Sequence, residues 1–242
     1  MEVRLTVVGC SPAWPNPGGA QSGYLVESKG SRLLLDCGPG VLARLRALED
    51  WPRVDSIAIT HFHLDHWGDL VPWVWALAFG PARELGPPEL WLPPRGRTVL
   101  WDLGRQLGTP DMFEQAFSVH EFEKDKTFDT AGFEVVARQV VHYDLEAYGF
   151  RVSANESVLG YSGDSGPSGE LVEVARDADL FLCEATLGEG QVEAMRGHLS
   201  PTEAESAFVE SGAKRLLLTH RPKERDLDPR FELAQDGLEL EL

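Results

Sequence analysis

The chain has 242 residues, 43% hydrophobic and 25% charged, with 22 Lys and Arg against 39 Asp and Glu for a formal net charge of −17. That length can bury a substantial core within a single domain over 1–242, and no apolar run approaches the roughly 20 residues that cross a bilayer, so membrane spanning is excluded. The acidic field disfavours long nucleic acid as a partner, although two divalent cations would add about +4 at the one place they bound.

The opening Met1–Val8 carries no basic lead followed by a long apolar stretch, which makes the cytoplasm the expected location. Cys10, Cys37 and Cys183 are odd in number and far apart, which suits reduced, buried thiols rather than a disulfide framework. Arg4–Val8, Gly23–Glu27 and Arg32–Asp36 read as strands of an antiparallel opening, each bounded by Gly, Pro, Ser or Asn. Val41–Glu49 has helical spacing, and Asp55–Thr60 is a buried strand. Leu70–Phe79 reads as a helix, and Pro81–Arg97 as a loop-dominated stretch with a short strand at Glu89–Leu92. Trp67, Trp73, Trp75, Trp91 and Trp101 crowd this region; core packing is the expected use of these rings, and an aromatic wall beside a site the alternative. Phe133–His142, Ala147–Val152 and Ser157–Ser162 form a second antiparallel group. Glu170–Ala178 (helix), Leu180–Ala185 (strand), Pro201–Ser211 (helix) and Arg215–Thr219 (strand) follow. Both halves repeat strands, then a strand-end motif, then a helix, so two sheets flanked by helices are expected.

The strand at Asp55–Thr60 runs into His61-Phe62-His63-Leu64-Asp65-His66. Three imidazoles and a carboxylate this close can converge on one or two cations where the backbone turns out of a strand. Other strand ends repeat the theme with His142, Asp164 and His220, whereas His120 reads as a strand-surface residue. Taken singly, each would be an ordinary turn or core residue; together they describe a metal centre.

In this order His61-x-His63-x-Asp65-His66, His142, Asp164 and His220 resemble the five motifs of the metallo-β-lactamase superfamily, over most of the chain. The resemblance implies an α/β (α+β) protein with an αβ/βα four-layer sandwich. It also implies that His61, His63 and His142 hold one ion, Asp65, His66 and His220 another, and that Asp164 bridges them. The imidazole-rich set independently favours zinc, with manganese or iron next. True β-lactamases of the superfamily carry a cysteine where Asp164 stands, so antibiotic hydrolysis is not expected.

Cys183-Glu184-Ala185-Thr186 and Gly197-His198-Leu199-Ser200-Pro201 are further similar to the ribonuclease Z and phosphodiesterase branch, apart from Cys183, which replaces a histidine. That likeness implies that His198, oriented by Glu184, protonates the leaving oxygen, while Asp65 helps position the nucleophile; the competing use of His198 is as a capping or turn residue before the Pro201 helix. Bacterial ribonucleases Z insert a long arm between the motifs of His142 and Asp164, where this chain has only 21 residues. A small-molecule or short-oligonucleotide phosphodiester is therefore the expected substrate. A thioesterase or lactonase of the same fold, a tRNA 3′-processing endonuclease, and a non-hydrolytic ligand-binding member are the alternatives. The Gly/Pro-rich loop Ser11–Ser22 marks where specificity would lie, and the oligomeric state stays open, a homodimer included.

Overall fold

The computed structural model describes residues 3–48, 51–191 and 195–242. In the N-terminal half, strands β1 (Arg4–Gly9), β2 (Gly23–Ser28) and β3 (Ser31–Leu35) lead into helix α1 (Val41–Leu48) and strand β4 (Ser56–Ala58). Short helices α2 (Leu64–Trp67) and α3 (Leu70–Val74) precede β5 (Glu89–Leu92), α4 (Gly96–Gln106), α5 (Met112–Ala116) and β6 (Ser118–Glu121). The C-terminal half runs β7 (Thr127–Thr130), β8 (Phe133–His142), β9 (Leu145–Ala154), β10 (Ser157–Tyr161), α6 (Glu170–Ala175), β11 (Leu180–Glu184), α7 (Pro201–Ser211), β12 (Leu216–Thr219) and β13 (Glu239–Glu241).

Two sheets result, ordered β13-β1-β2-β3-β4-β5-β6 and β12-β11-β10-β9-β8-β7. Each pairs antiparallel first and then parallel: β1–β3 antiparallel and β3–β6 parallel in one, β7–β10 antiparallel and β10–β12 parallel in the other. The strands read as unbroken apolar runs because both faces are covered, and alternate side chains go to different layers. Leu33 and Leu35 enter the core between the sheets with Val135, Phe150 and Leu182, whereas Leu34 joins Val41, Leu45 and Trp73 under the helices outside. On the far side Phe181, Cys183 and Leu218 turn outward onto Leu171, Val174 and Ala204 of α6 and α7. The four layers are therefore helix, sheet, sheet, helix. All three cysteines are free and buried, and among the described residues no helix is long and apolar enough to cross a membrane.

Several expectations need correction. Glu49, the last residue of the expected Val41–Glu49 helix, lies outside the described residues. The helix expected over Leu70–Phe79 is α-helical only to Val74 and continues as a π-helical turn over Trp75–Phe79. The wider turn keeps Ala76 and Leu77 in the core while Trp75 and Phe79 stack at the surface with centroids 5.2 Å apart. Pro81–Leu85 is a 3₁₀ turn. Helix α4 escapes a periodicity reading because it contains Gly96 and Gly104, which permit close approach: a Cβ on Gly104 would stand 2.7 Å from Thr109 O. Of the five clustered tryptophans, Trp67 and Trp73 are buried, Trp91 is half-buried and stacked on His120 and Phe128, and Trp75 and Trp101 are exposed. His120 sits on β6, as a strand-surface residue should.

Candidate metal centre

The carboxyl ends of strands from both sheets meet at one edge of the sandwich, where open α/β sheets place ligands. β4 ends at Ala58 and the chain leaves it through Thr60, His61 and His63 into α2, whose single turn carries Asp65 and His66. His142 is the last residue of β8, Asp164 follows β10, Glu184 ends β11, and His220 follows β12 in the left-handed conformation at φ 54°. All seven residues expected to bind metal come together. His61, His63, His142 and Asp164 form one group and Asp65, His66, Asp164 and His220 another, each with its donor atoms within 4.8 Å of one another.

Asp164 faces both ways. Its Oδ2 is 3.9 Å from His61 Nε2 and 3.9 Å from His142 Nε2, and its Oδ1 is 3.3 Å from His66 Nε2 and 3.6 Å from His220 Nε2. Ligands about 2.1 Å from a tetrahedral cation would be roughly 3.4 Å apart, so this spacing fits donors arranged around ions. His61 Nε2, His66 Nε2 and Asp164 Oδ1 are buried without a hydrogen-bond partner. Orphaned buried polar atoms are costly, and divalent cations would satisfy all three. The residues present fit metal.

The outward nitrogens are tied down. His66 Nδ1 donates to Asp36 Oδ2 (2.7 Å), His142 Nδ1 to Gly197 O (2.7 Å), His220 Nδ1 to Thr186 Oγ1 (2.8 Å) and His61 Nδ1 to Thr60 Oγ1 (3.0 Å). Each bond selects the tautomer that turns Nε2 inward. Asp36 is the hub that sequence reading missed. Fully buried at φ 58°, it also accepts from Thr60 N (2.8 Å), Thr60 Oγ1 (2.9 Å) and Tyr161 Oη (2.7 Å). Its signal was faint: an acid closing the apolar strand Leu33–Leu35, ahead of Cys37-Gly38-Pro39-Gly40.

Electrostatically the two groups differ. Burial pushes the imidazoles of His61, His63 and His142 down, favouring the neutral form that ligates. Burial acts the same way on His66, but Asp164 and Asp36 outweigh it and hold its imidazole well above the usual value. For Asp164 burial works upward and loses to His220 and His66, so its carboxyl sits well below the usual range. Asp65 is likewise lowered, because the neighbouring imidazoles of His220 and His66 overcome its burial.

The residues expected to assist chemistry lie on the rim. His198 Nδ1 is 2.8 Å from Glu184 Oε1 and 4.0 Å from Asp164 Oδ2, and its ring stacks 5.7 Å from that of His220. Glu184 is fully buried and already satisfied, with Oε1 also accepting from Ser165 N (3.1 Å) and Oε2 from Thr186 N (2.9 Å). Both of its oxygens are thus tied to the protein, one of them to His198, and Glu184, His198 and His220 also bring donor atoms within 4.8 Å of one another. The cap of α7 is Ser200, in a reciprocal capping box with Glu203, so His198 is not spent on capping.

A sandwich of two sheets between helices, with a histidine and aspartate cluster at its strand ends, is the architecture of a metallo-hydrolase. Residues 31–221 match the family model of the β-lactamase superfamily domain, and the chain belongs to that family. It is 34% identical over 230 residues to an uncharacterized Mycobacterium tuberculosis protein, covering 92% of this chain and 82% of the relative. With the probable metallo-hydrolase YhfI of Bacillus subtilis it shares 28% identity over 91% of this chain and 87% of that one. The crystal structure of YhfI superposes with a TM-score of 0.87 at 23% identity, covering all of both chains. The ribonuclease Z of Myxococcus xanthus is 27% identical over 96% of this chain and 91% of its own length.

Proposed function

We propose that the protein is a binuclear zinc phosphodiesterase acting on a small or short-chain phosphodiester. The observation that carries this reading is the His198–Glu184 pair beside the metal cluster. An alkoxide leaves phosphorus slowly unless a proton reaches it, and an imidazole held by a carboxylate is a competent donor; a thiolate leaving group needs no such help. Two divalent cations, zinc suiting the imidazole-rich set best and manganese or iron less well, would supply charge that neutralises phosphate oxygens and acidifies water in their field. His61, His63 and His142 would hold one, Asp65, His66 and His220 the other, and Asp164 both. Asp65 and Asp164 accept hydrogen bonds that orient the attacking water, and His198 delivers a proton to the departing oxygen while Glu184 keeps its ring in place.

Two features support a small substrate. The chain passes from His142 to Asp164 through two hairpins with no inserted arm, and the protein carries 39 acidic against 22 basic residues. The ribonuclease Z relative supports phosphodiester chemistry as the class. The test begins with metal analysis, expected to return about two equivalents of zinc per chain, followed by turnover of bis-nitrophenyl phosphate, cyclic nucleotides, a thioester and a lactone. Turnover of the phosphodiesters is expected. Preference for the thioester or lactone would overturn the reading. His198→Ala should depress kcat on a poor leaving group far more than on a nitrophenyl ester, and equal losses on both would reject the donor role.

A further inference from the structure

The segment Arg196–His198 serves both parts of the proposed chemistry at once. Gly197 O accepts from His142 Nδ1 at 2.7 Å, so this peptide orients a residue of the first histidine group, and the next residue is His198. Glu184 anchors one nitrogen of His198 but does not fix the backbone that carries the ring. Two contacts from outside the cluster do. Arg196 Nη2 donates to His198 O (3.2 Å) and to both carboxylate oxygens of Glu203 (2.8 and 2.7 Å), while Glu203 Oε2 accepts from Ser200 N (2.9 Å) at the start of α7. On the other side Tyr143 N donates to Arg196 O at 3.0 Å. The Tyr143 ring lies on Gly197 so closely that a Cβ there would meet three ring carbons at 2.2 to 2.4 Å. The same ring stands 4.9 Å from that of His142 and 5.6 Å from that of His198. Tyr143 opens the two-residue turn between β8 and β9 with the left-handed φ of 51° that such a turn uses, so the hairpin sets where its ring stands.

We infer that Arg196 and Tyr143 are positioning residues for the proton donor. Together they clamp residues 196–198 from two sides, so that His198 and His142 keep one relative placement and the proton is presented at the distance the leaving oxygen needs. The inference rests on the reading of His198 as the donor. A misplacement of about 1 Å can cost on the order of 100-fold in rate, which sets the scale of the expected effect.

The experiment measures kcat and KM of the zinc-loaded protein on a nitrophenyl phosphodiester and on a dinucleoside phosphate, whose alkoxide leaves poorly. Metal content and melting temperature are read on the same samples. Arg196→Ala and Tyr143→Ala should each lose about 10-fold to 100-fold in kcat on the dinucleoside phosphate and less than about threefold on the nitrophenyl ester, with KM and zinc content kept. Tyr143→Phe, which retains the ring, should rescue, and Arg196→Lys should rescue in part. Equal losses on both substrates, no loss, or a Tyr143→Phe as impaired as Tyr143→Ala overturns the inference. Should either alanine variant shed metal, Arg196→Lys and Tyr143→Leu decide by the same ratio of the two substrates. A His198→Ala without leaving-group selectivity sinks the donor reading and the clamp with it; a selective His198→Ala beside unselective clamp variants sinks the clamp alone.

Discussion

The two histidine groups at the sheet edge are built on opposite electrostatic terms. His61, His63 and His142 are neutral by desolvation and are steadied by a hydroxyl and a peptide carbonyl, with His63 on the half-buried rim. Asp65, His66 and His220 share a charged pocket in which His66 lies between the carboxylates of Asp36 and Asp164. Burial favours the neutral, ligating imidazole in one group, whereas the carboxylates around His66 favour its protonated form in the other. The lesson is that a nearly symmetric pair of sheets can deliver two unlike histidine groups, because the buried acids behind the imidazoles differ even where the imidazoles are alike.

Asp164→Asn tests what the groups share. It removes the anion that faces all four inward nitrogens, so metal content should fall at both sites and turnover by on the order of 1,000-fold, equivalent to about 4 kcal/mol. Retention of one full equivalent of zinc would show that the carboxylate belongs to one side only. Asp36→Asn separates them. Loss of a carboxylate behind a metal-binding histidine typically costs 10-fold to 100-fold in affinity, and here chelator competition should show the larger loss for the ion beside His66, which Asp36 touches directly, and the smaller for the group of His61, which it reaches only through Thr60.

Proton linkage sharpens the same contrast. Because Asp164 and Asp36 hold His66 above the ordinary imidazole value while burial lowers His61, His63 and His142, protons compete with a cation more strongly in the charged pocket than in the other group. Acidification from pH 7 toward 5 should therefore strip the ion of the charged pocket first, measured as zinc retained after dialysis at each pH. Simultaneous loss of both ions would erase the distinction. The smallest effect belongs to the rim: Gly197→Ala must push the Tyr143 ring aside, and should lower kcat on a poor leaving group about tenfold while both ions stay bound.

That the candidate ligands converge was legible because metal chemistry leaves compact marks. Three imidazoles and a carboxylate within six residues after an apolar strand, and single ligand-type residues at three further strand ends, specify a centre before any fold is known. The inner strands were legible too, since runs such as Leu33–Leu35 and Leu180–Cys183 are apolar throughout when both faces are covered, whereas the short edge strands β7 and β13 were not. Helix α4 was not, because Gly96 and Gly104 at close approaches break the periodicity a reader counts, and α5, at five residues, is too short to show a helical period. Asp36 was not, because nothing in its neighbourhood of the chain distinguishes an acid that will support His66 from one that ends a strand in solvent.

By itself, then, the order of residues determined which side chains could bind metal, which segments would be strands, and that the fold would be layered, because ligand chemistry and side-chain alternation are local properties. Only the tertiary structure decided that Asp164 turns one oxygen to each group, that Asp36 and Tyr161 lie behind His66, and that Arg196 and Tyr143 enclose the loop of His198. Those relations join segments up to 125 positions apart, or depend on how one ring lies against one peptide, and such contacts exist only once the chain has closed over its core.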